Sequence, residues 1–534
     1  MIVLSQRRRP SIGRMLGSVA AAFGLLFALP LVAAVAAPVR AAPGGPDFAA
    51  IDRYVQAEMD DQRIPGLALG IVHGGRIVHL RGFGEADPSG RAVTTDTPFF
   101  IGSVTKSFTS LAIMQLSEAG QLDLDAPVQR YLPWWRVADA ADSARVTLRD
   151  LLYQVSGFSK ATGNAYATSG DSADSALEDR VRALRSVDLT EPVGTVWQYS
   201  NANYWTLGMI VQAVSGESYE TYVEQHIFAP LEMHDSFASQ TEAEADGLVT
   251  GYRYWFGFPF AADVPFDRGG LGAGGLSSSV ADMARYLSAN VNDGRYQRTQ
   301  LVSAAGMAEL HHPAVPTGHD DVSYAMGWES SESNGIPTVS HDGSGFNAHA
   351  NVVLVPESRW GVVLLENAEN SPDEFFGARQ MTAIAFGVTS MVMGEEPLPV
   401  GSSAALWIVY GIVFAVIALQ ITGITRSVRT FRKWRTDPQR RPRGPARIGL
   451  FLGIPLALNL TWAFIILFAM PRKVGAPLSA LLMGLPDLAY PLVGSAIVAI
   501  GWAVGRTVWA VLILRSPRRL PIVDQPIGQE PIST

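Results

Sequence analysis

A serine and a lysine one helical turn apart are the residues of this chain best suited to catalysis. They stand in Ser103-Val104-Thr105-Lys106, and Lys106 is one of only four lysines among 41 basic residues. A Ser at position i and a Lys at i+3 meet on one helix face. Arginine keeps its proton at any cellular pH, whereas a lysine shielded from water can lose its proton and act as a base. The pair therefore predicts that Ser103 is a nucleophile activated by Lys106.

A second motif, Tyr199-Ser200-Asn201, supplies a phenol and an amide. A tyrosine hydroxyl held near a lysine ammonium could exist partly as phenolate and pass protons to a leaving group. The amide of Asn201 can hydrogen-bond a substrate amide or hold the lysine in place. We therefore take Tyr199 as a third catalytic candidate and Asn201 as a substrate-binding candidate.

The third motif is His341-Asp342-Gly343-Ser344. Gly343 on an edge strand would let a substrate backbone approach closely. The N–H of Ser344 can complete an oxyanion hole with the N–H of Ser103. His341, Gly343 and Ser344 are thus predicted to bind and position substrate. The sequence has no cysteine, and its histidines lack the spacing of a metal site, so we predict no metal and no cofactor.

In this order, the three motifs resemble the serine β-lactamase and penicillin-binding-protein superfamily. The resemblance is strongest to the branch of class C β-lactamases, D-Ala-D-Ala carboxypeptidases, D-aminopeptidases and esterases, and segments 147–158 and 274–284 look like two further motifs of that branch. It extends over about residues 47–395 and implies hydrolysis through an acyl-enzyme. Two residues depart from the pattern. Gln154 stands where the family usually has histidine, and His341 stands where class C β-lactamases have lysine.

The elements that position these motifs come from both ends of the same segment. Gly66–Val72 and Arg76–Leu80 flank Gly74-Gly75 and predict a β-hairpin, and Asn351–Val355 with Trp360–Leu365 predict a second one. The chain between the hairpins has helical and loop patterns, including a helix over Val104–Ala119 that ends at Gly120. The predicted fold class is α/β, a β-lactamase/transpeptidase-like antiparallel sheet flanked by helices with a helical subdomain, followed by C-terminal transmembrane helices.

Charge divides the chain into three parts. Residues 1–42 have five arginines and no acid, residues 43–403 have 45 acidic and 21 basic residues, and residues 404–534 have 15 basic and four acidic residues. A central part this acidic argues against nucleic acid as a partner. Residues 1–42, with Arg7-Arg8-Arg9 before an apolar run, predict a signal peptide or an uncleaved N-terminal anchor. We predict a hydrolase domain over 43–398 and a membrane domain over 399–534.

Three apolar stretches in the membrane domain, Ala404–Ile424, Ile448–Met470 and Leu488–Leu514, are each long enough to span a bilayer of about 30 Å. The alternative is that they are buried helices of a large soluble protein. The loop between the first two stretches is strongly basic, and such short loops stay in the cytoplasm. The hydrolase domain is then extracytoplasmic, on a multi-pass cell-membrane protein with lipid as a partner.

The sequence thus predicts a membrane-anchored extracytoplasmic serine hydrolase that cleaves an amide or ester. The substrate classes left open are D-amino-acid peptides, including cell-wall fragments, esters and β-lactams. One alternative is a true β-lactamase, which the histidine at 341 disfavours. The other is a non-catalytic penicillin-binding-like sensor or scaffold, which the intact Ser103, Lys106, Tyr199 and Asn201 argue against.

Overall fold

The computed structural model of the chain describes residues 45–319, 321–369, 380–397, 400 and 404–516. The predicted signal peptide or anchor, residues 1–42, lies outside the described residues. The described strands are β1 (Gly66–His73), β2 (Arg76–Gly84), β3 (Pro98–Phe100), β4 (Ser236–Phe237), β5 (Tyr252–Trp255), β6 (Phe258–Ala261), β7 (Ser277–Ser279), β8 (Arg295–Tyr296), β9 (Thr299–Gln300), β10 (Val315–Pro316), β11 (Ser323–Tyr324), β12 (Glu329–Ser333), β13 (Ile336–Ser344), β14 (His349–Val355), β15 (Trp360–Glu366) and β16 (Ala368–Glu369).

The described helices fall into a group within the predicted hydrolase domain and a group after it. The first group is α1 (Phe48–Gln62), α2 (Thr105–Glu118), α3 (Ala140–Arg145), α4 (Leu148–Leu152), α5 (Lys160–Asn164), α6 (Ala176–Ala183), α7 (Asn201–Ser215), α8 (Tyr219–Val223), α9 (Gln240–Ala245), α10 (Leu271–Gly274), α11 (Val280–Asn290), α12 (Ala304–Leu310) and α13 (Gln380–Val392). The second group is α14 (Ala404–Thr436), α15 (Pro445–Phe464), α16 (Met470–Val474), α17 (Leu478–Gly484) and α18 (Pro486–Arg515).

An antiparallel sheet of eight strands, in the order β10-β11-β12-β13-β14-β15-β1-β2, forms the centre of the predicted hydrolase domain. Both predicted hairpins are confirmed, β1–β2 and β14–β15. Gly74 and Gly75 have φ angles of +58° and +76°, a left-handed conformation that glycine adopts without steric cost. β1 pairs with β15 along its length, so the two ends of the domain meet in one sheet, as the sequence predicts.

Alternate residues of the central strands pack on opposite faces of the sheet. Leu67, Leu69 and Ile71 of β1 join a core formed with α1 and α13. Ala68 and Val72 of the same strand join the larger core formed with α11 and the helical region. Because successive side chains point to opposite faces, a strand covered on both faces reads as a continuous apolar run. This explains why β1 and β15 lack the polar alternation of a half-exposed strand.

The helical subdomain lies between β3 and β10 in the chain, and its elements join the larger core. α2 is almost fully buried there. It packs against α7, which follows Tyr199 in the chain, and against α10. This arrangement brings the first two sequence motifs side by side, because each motif immediately precedes or begins one of the packed helices.

Three C-terminal helices are long and apolar enough to cross a membrane: Leu406–Thr436, Pro445–Val474 and Pro486–Arg515. The last continues without a break through Arg506, a charged residue within the predicted apolar stretch. Arg506 donates a hydrogen bond of 2.9 Å to the carbonyl of Phe451, and its guanidinium lies 4.4 Å from the centre of the Phe451 ring. The neighbouring helix therefore offers one hydrogen-bond acceptor and an aromatic ring to this charged side chain, which is otherwise costly among apolar helices.

Candidate active site

Ser103 lies in a single 3-10 turn, Gly102–Val104, immediately before α2, and Lys106 lies in the first turn of that helix. The i, i+3 spacing brings Lys106 Nζ to 2.9 Å from Ser103 Oγ. Nζ also donates a hydrogen bond of 2.7 Å to the carbonyl of Ala273 in α10. These two contacts hold the amine against the hydroxyl that it would have to deprotonate.

Lys106 is fully buried, and burial is the main cause of its altered basicity. Desolvation disfavours the ammonium form and lowers the pKa of Lys106 to about 7, while the negative charge of Asp342 acts in the opposite direction. At neutral pH a large fraction of this lysine is therefore unprotonated. A general base works best when its pKa lies near the working pH, and Lys106 meets this condition.

The hydroxyl of Tyr199 reaches the same serine from the other side. Tyr199 OH donates a hydrogen bond of 2.7 Å to Ser103 Oγ, and Lys106 Nζ lies 4.8 Å from the centre of the Tyr199 ring. Burial raises the pKa of Tyr199 well above its ordinary value of 10.0. This contradicts the expectation of a partly ionised phenol, because desolvation by burial outweighs the opposing effect of the hydrogen bond to Ser103. Tyr199 is a neutral proton donor in this arrangement.

Asn201, the first residue of α7, presents an unused acceptor to the cleft. Its side-chain Nδ2 donates a long hydrogen bond of 3.5 Å to the carbonyl of Gly163. Its Oδ1 is buried and has no hydrogen-bond partner among the residues described in the structure. A buried acceptor is costly to leave unpaired. Asn201 is therefore suited to accept a hydrogen bond from a substrate N–H.

The third motif lies on β13, beside the turn that contains Ser103. A side-chain carbon at Gly343 would collide with the carbonyl of Ile101, so only glycine allows this approach. In the facing segment, Gly102 has a φ of +50°, and a side-chain carbon there would lie 3.1 Å from the backbone nitrogen of Ser344. The Ser103 and Ser344 backbones are thus close neighbours. This is the arrangement that an oxyanion hole built from their two N–H groups requires.

The expectation that Gly343 lies on an edge strand is wrong, because β13 is an interior strand of the sheet. β14 pairs with β13 as far as Ser344, but β12 pairs only with its first half, from Ile336 to Ser340. The residues from His341 to Ser344 extend beyond β12 and face the Ser103 turn. Substrate access therefore comes from this offset between strands and not from a true sheet edge.

His341 is buried and neutral. Its Nδ1 lies 2.5 Å from the carbonyl of Asp342, and its Nε2 lies 3.4 Å from the hydroxyl of Tyr324. Burial, reinforced by the charge of Lys106, lowers the pKa of His341 to about 4, although Asp342 opposes this shift. The imidazole therefore adds no positive charge to the cleft at neutral pH.

Gln154, which replaces a family histidine, has a structural role. It has a φ of +61°, and its Oε1 accepts hydrogen bonds from the backbone N–H of Ser200, at 2.9 Å, and from Asn203 Nδ2. Its own carbonyl accepts a 2.9 Å hydrogen bond from the N–H of Gln198. Gln154 therefore fixes the segment that contains Tyr199 and Asn201.

An ion pair that no sequence motif indicates lies beneath the third motif. His349 Nδ1 lies 2.9 Å from Glu369 Oε2, and the same carboxylate oxygen accepts a 2.7 Å hydrogen bond from Ser344 Oγ. Glu369 raises the pKa of His349 to about 10, against the effect of burial. The pair holds the side chain of Ser344 and so orients the end of β13. Contacts between residues of separate strands leave no local sequence signal.

All seven residues proposed from the sequence lie within or beside one large cleft. Its volume is about 1110 Å³, and five of the seven line it: Ser103, Tyr199, Asn201, His341 and Ser344. Lys106 lies behind Ser103, and Gly343 lies between two of the lining residues. The cleft combines a nucleophile, a buried base, a neutral acid and two candidate oxyanion donors. This set of groups is suited to acyl transfer.

Comparison with known proteins identifies the class to which this fold and site belong. A model of the Beta-lactamase family matches residues 51–386, well over half of the chain. The chain therefore belongs to the Beta-lactamase family. This confirms the resemblance to penicillin-binding proteins and β-lactamases that the sequence motifs indicated.

Three similar proteins come from three different organisms. The chain is 27% identical over 320 residues to Protein flp of Staphylococcus aureus (strain MW2), a match that covers 59% of this chain but only 62% of that protein. It is 30% identical over 317 residues to Penicillin-binding protein 4 of Amycolatopsis lactamdurans, covering 58% of this chain and 82% of that protein. The octameric penicillin-binding protein homologue from Pyrococcus abyssi has 26% sequence identity and a TM-score of 0.58, covering 68% of this chain and 81% of that one.

Proposed function

We propose that this chain is a membrane-anchored serine hydrolase that cleaves an ester or amide through an acyl-enzyme. One observation carries the proposal. Ser103 Oγ lies within hydrogen-bond distance of both a buried lysine amine with a pKa of about 7 and a neutral tyrosine hydroxyl. A serine hydroxyl is a weak nucleophile until a base removes its proton, and Lys106 is positioned and tuned to be that base.

In the proposed acylation step, Lys106 Nζ takes the proton from Ser103 Oγ while Oγ forms a bond to the substrate carbonyl carbon. The carbonyl oxygen becomes an oxyanion, which the N–H groups of Ser103 and Ser344 stabilise. When the bond to the leaving group breaks, the leaving group receives a proton from Lys106, with the Tyr199 hydroxyl positioned to relay it. Water then attacks the acyl-enzyme, Lys106 accepts a proton from that water, and Ser103 leaves with its proton restored.

Asn201 and His341 position the substrate in this scheme. The free carbonyl oxygen of Asn201 accepts a hydrogen bond from a substrate amide N–H. Neutral His341 does not supply the positive charge that would attract the carboxylate of a β-lactam or of a C-terminal D-amino acid. This favours an uncharged ester or amide at this position over a true β-lactamase substrate. Peptides derived from the cell wall remain within the proposed substrate classes.

The three long apolar helices support anchoring in a membrane, and the basic loop between the first two supports an extracytoplasmic hydrolase domain. In the structure, the hydrolase domain contacts the opposite end of these helices from the basic loop. Asn164 Nδ2 donates a 3.0 Å hydrogen bond to the carbonyl of Gly475, near the connection between the second and third helices. Arg441, in the basic loop, donates a 2.9 Å hydrogen bond to the carbonyl of Ser516 at the far end of α18.

Covalent labelling tests the proposed nucleophile. The purified full-length protein should react with a fluorophosphonate probe, and Ser103→Ala should abolish the labelling. Ser107→Ala is the matched control, because Ser107 is buried on the same helix and donates to the carbonyl of Val104. Labelling of a folded Ser103→Ala protein at the parent rate would assign the nucleophile to another residue. A panel of D-amino-acid peptides, short esters and a chromogenic cephalosporin then identifies the substrate class, and the absence of turnover on every member would favour a sensor.

A further inference from the structure

The active-site cleft is not built from the hydrolase domain alone. Residues between the second and third long helices also line it, and we call this segment, Val474–Leu485, the membrane-side wall. Its lining residues are Val474, Ala476, Ala480, Leu481, Gly484 and Leu485. None of them has a polar side chain. The same cleft thus contains a polar catalytic end, with Ser103, and an apolar wall contributed by the membrane domain.

Hydrogen bonds fix this wall to the hydrolase domain at several points. Besides the contact between Asn164 and Gly475, the hydroxyls of Thr168 and Ser479 lie 3.0 Å apart. Arg253 Nη1 donates a 2.9 Å hydrogen bond to the carbonyl of Met483. The wall is therefore held in place by hydrogen bonds to three residues of the hydrolase domain, Asn164, Thr168 and Arg253.

A second set of contacts holds the start of α18 against the β5–β6 hairpin. Asp487, which is 1% exposed, accepts a 3.0 Å hydrogen bond from the backbone N–H of Phe256 at the tip of this hairpin. The hydroxyl of Tyr410, near the start of α14, donates to the same carboxylate. The Phe256 ring packs on Tyr410 and Phe414. Two of the long helices and the hairpin thus form one continuous contact.

The hairpin also indicates how far the cleft lies from the lipid. Trp255, Phe258 and Phe260 are large apolar side chains that remain 41%, 61% and 37% exposed. The Trp255 ring centre lies 6.1 Å from that of Tyr490, an exposed residue in the first turns of α18. Exposed aromatic rings at the ends of membrane helices are typical of the boundary between lipid and water. The residues after this hairpin, from Asp263 to Asp267, line the cleft, which therefore lies beside that boundary.

We propose that the substrate is an amphiphile, an ester or amide that carries a hydrocarbon chain, and that this chain binds along the membrane-side wall. This inference rests on the proposed hydrolase function and specifies its substrate class. The scissile carbonyl reaches Ser103 in the polar part of the cleft, while the apolar chain replaces water against Val474, Ala476 and Leu481. Burial of each methylene against such a wall favours binding. A short, fully polar substrate would leave the wall unused.

Chain-length dependence tests this class with the full-length protein in phosphatidylcholine vesicles. One series is p-nitrophenyl esters of acids with two to about twelve carbons, and the other is acetates of alcohols of the same lengths. They place the chain on the acyl and leaving-group sides respectively. In one of the two series we expect kcat/KM to rise by roughly threefold per methylene over part of the range, since each buried methylene contributes that order of stabilisation.

A substitution that fills the wall separates specific binding from partition of the esters into the vesicles. Ala476→Phe should lower the long-chain to short-chain ratio of kcat/KM at least tenfold. Ala457→Phe, at an exposed position on α15, should leave the ratio unchanged, because partition into the vesicles is the same for both proteins. Leu481→Ala, which removes apolar contact without adding bulk, is a second variant and should also lower the ratio. The extent of fluorophosphonate labelling verifies that each variant remains folded.

The outcomes distinguish failure of the proposed amphiphilic substrate from failure of the proposed hydrolase function. A parent enzyme without chain-length preference, or an equal loss of preference in Ala457→Phe, would overturn the amphiphile and leave the hydrolase intact. Failure of the parent to hydrolyse any ester and to react with the fluorophosphonate would overturn both. Where the preference holds, an ester with a sixteen-carbon chain retained in the vesicles identifies the source of the substrate. Its hydrolysis assigns a membrane lipid, whereas hydrolysis of monomeric esters alone assigns an amphiphile taken from solution.

Discussion

Lys106 and Tyr199 share one hydrogen-bonding partner, Ser103 Oγ, and burial shifts the pKa values of these two residues in opposite directions. The pKa of Lys106 falls to about 7 and that of Tyr199 rises well above 10. Desolvation has a single physical effect on both residues, which is to favour the neutral form. Because both groups are buried and neutral, the Lys106 amine can accept a proton as the base and the Tyr199 phenol can donate one as the acid. This argues for Lys106, and against a tyrosine phenolate, as the group that activates the serine.

Replacement of Lys106 by arginine tests whether the lysine is needed as a base that accepts a proton or only as a positive charge. Arginine keeps the positive charge but cannot act as a base. General-base assistance contributes typically about 10²–10⁴-fold, so Lys106→Arg should lower turnover at least about a hundredfold. Thermal melting of the same preparation separates loss of chemistry from loss of fold. The matched control, Lys433→Arg in the basic end of α14, should retain parent turnover. If a folded Lys106→Arg protein kept a turnover within about threefold of the parent, Lys106 would contribute only its positive charge and not a base.

The pH dependence of the reaction should follow the ionisation of Lys106. Only the unprotonated amine accepts the serine proton, so kcat/KM on an uncharged ester should rise with pH and be half-maximal near the Lys106 pKa of about 7. Because kcat/KM reports ionisations of the free enzyme, the pH profile gives the pKa of Lys106 in the free enzyme. His341, with a pKa of about 4, stays neutral through this range. A profile that is flat between about pH 5.5 and pH 8.5 would contradict this assignment.

Gly343→Ala should damage the candidate oxyanion hole without removing any catalytic side chain. The new methyl group would collide with the carbonyl of Ile101 and push β13 away from the Ser103 turn. Loss of one oxyanion donor typically costs about 10²–10³ in kcat, and we expect a decrease of that order. Gly411→Ala is the control, because a side-chain carbon at Gly411 meets no neighbouring atom. Equal activity of Gly343→Ala and the parent would exclude the Ser344 N–H from the reaction.

Two of the features that the sequence predicted correctly depend on local rules. The hairpin turn at Gly74-Gly75 follows from glycine conformations, and the meeting of Ser103 and Lys106 follows from helix geometry. The features that it missed depend on contacts between distant segments. The Glu369–His349 pair joins separate elements, and the offset of β13 beyond β12 depends on strand lengths that no local pattern determines. The membrane-side wall depends on contacts between Val474–Leu485 and distant residues such as Asn164 and Arg253. No local sequence pattern in these segments predicts those contacts.

The orientation of the chain in the membrane is testable with protease and inserted tags. A tag near Ser331 lies in the β12–β13 hairpin, whose turn at Asn334 and Gly335 is exposed, and a tag in residues 430–445 lies at the opposite end of the long helices. Because short, strongly basic loops stay in the cytoplasm, protease added to intact cells should cut the first tag and spare the second. Permeabilised cells provide the control, since both tags should then be cut.

Protection of the Ser331 tag with cleavage in 430–445 would reverse the proposed orientation. Cleavage of both tags in intact cells would show that the first apolar helix does not separate them across a membrane. Either result would remove the extracytoplasmic location from the proposed function, while the chemistry at Ser103 would still be tested by covalent labelling.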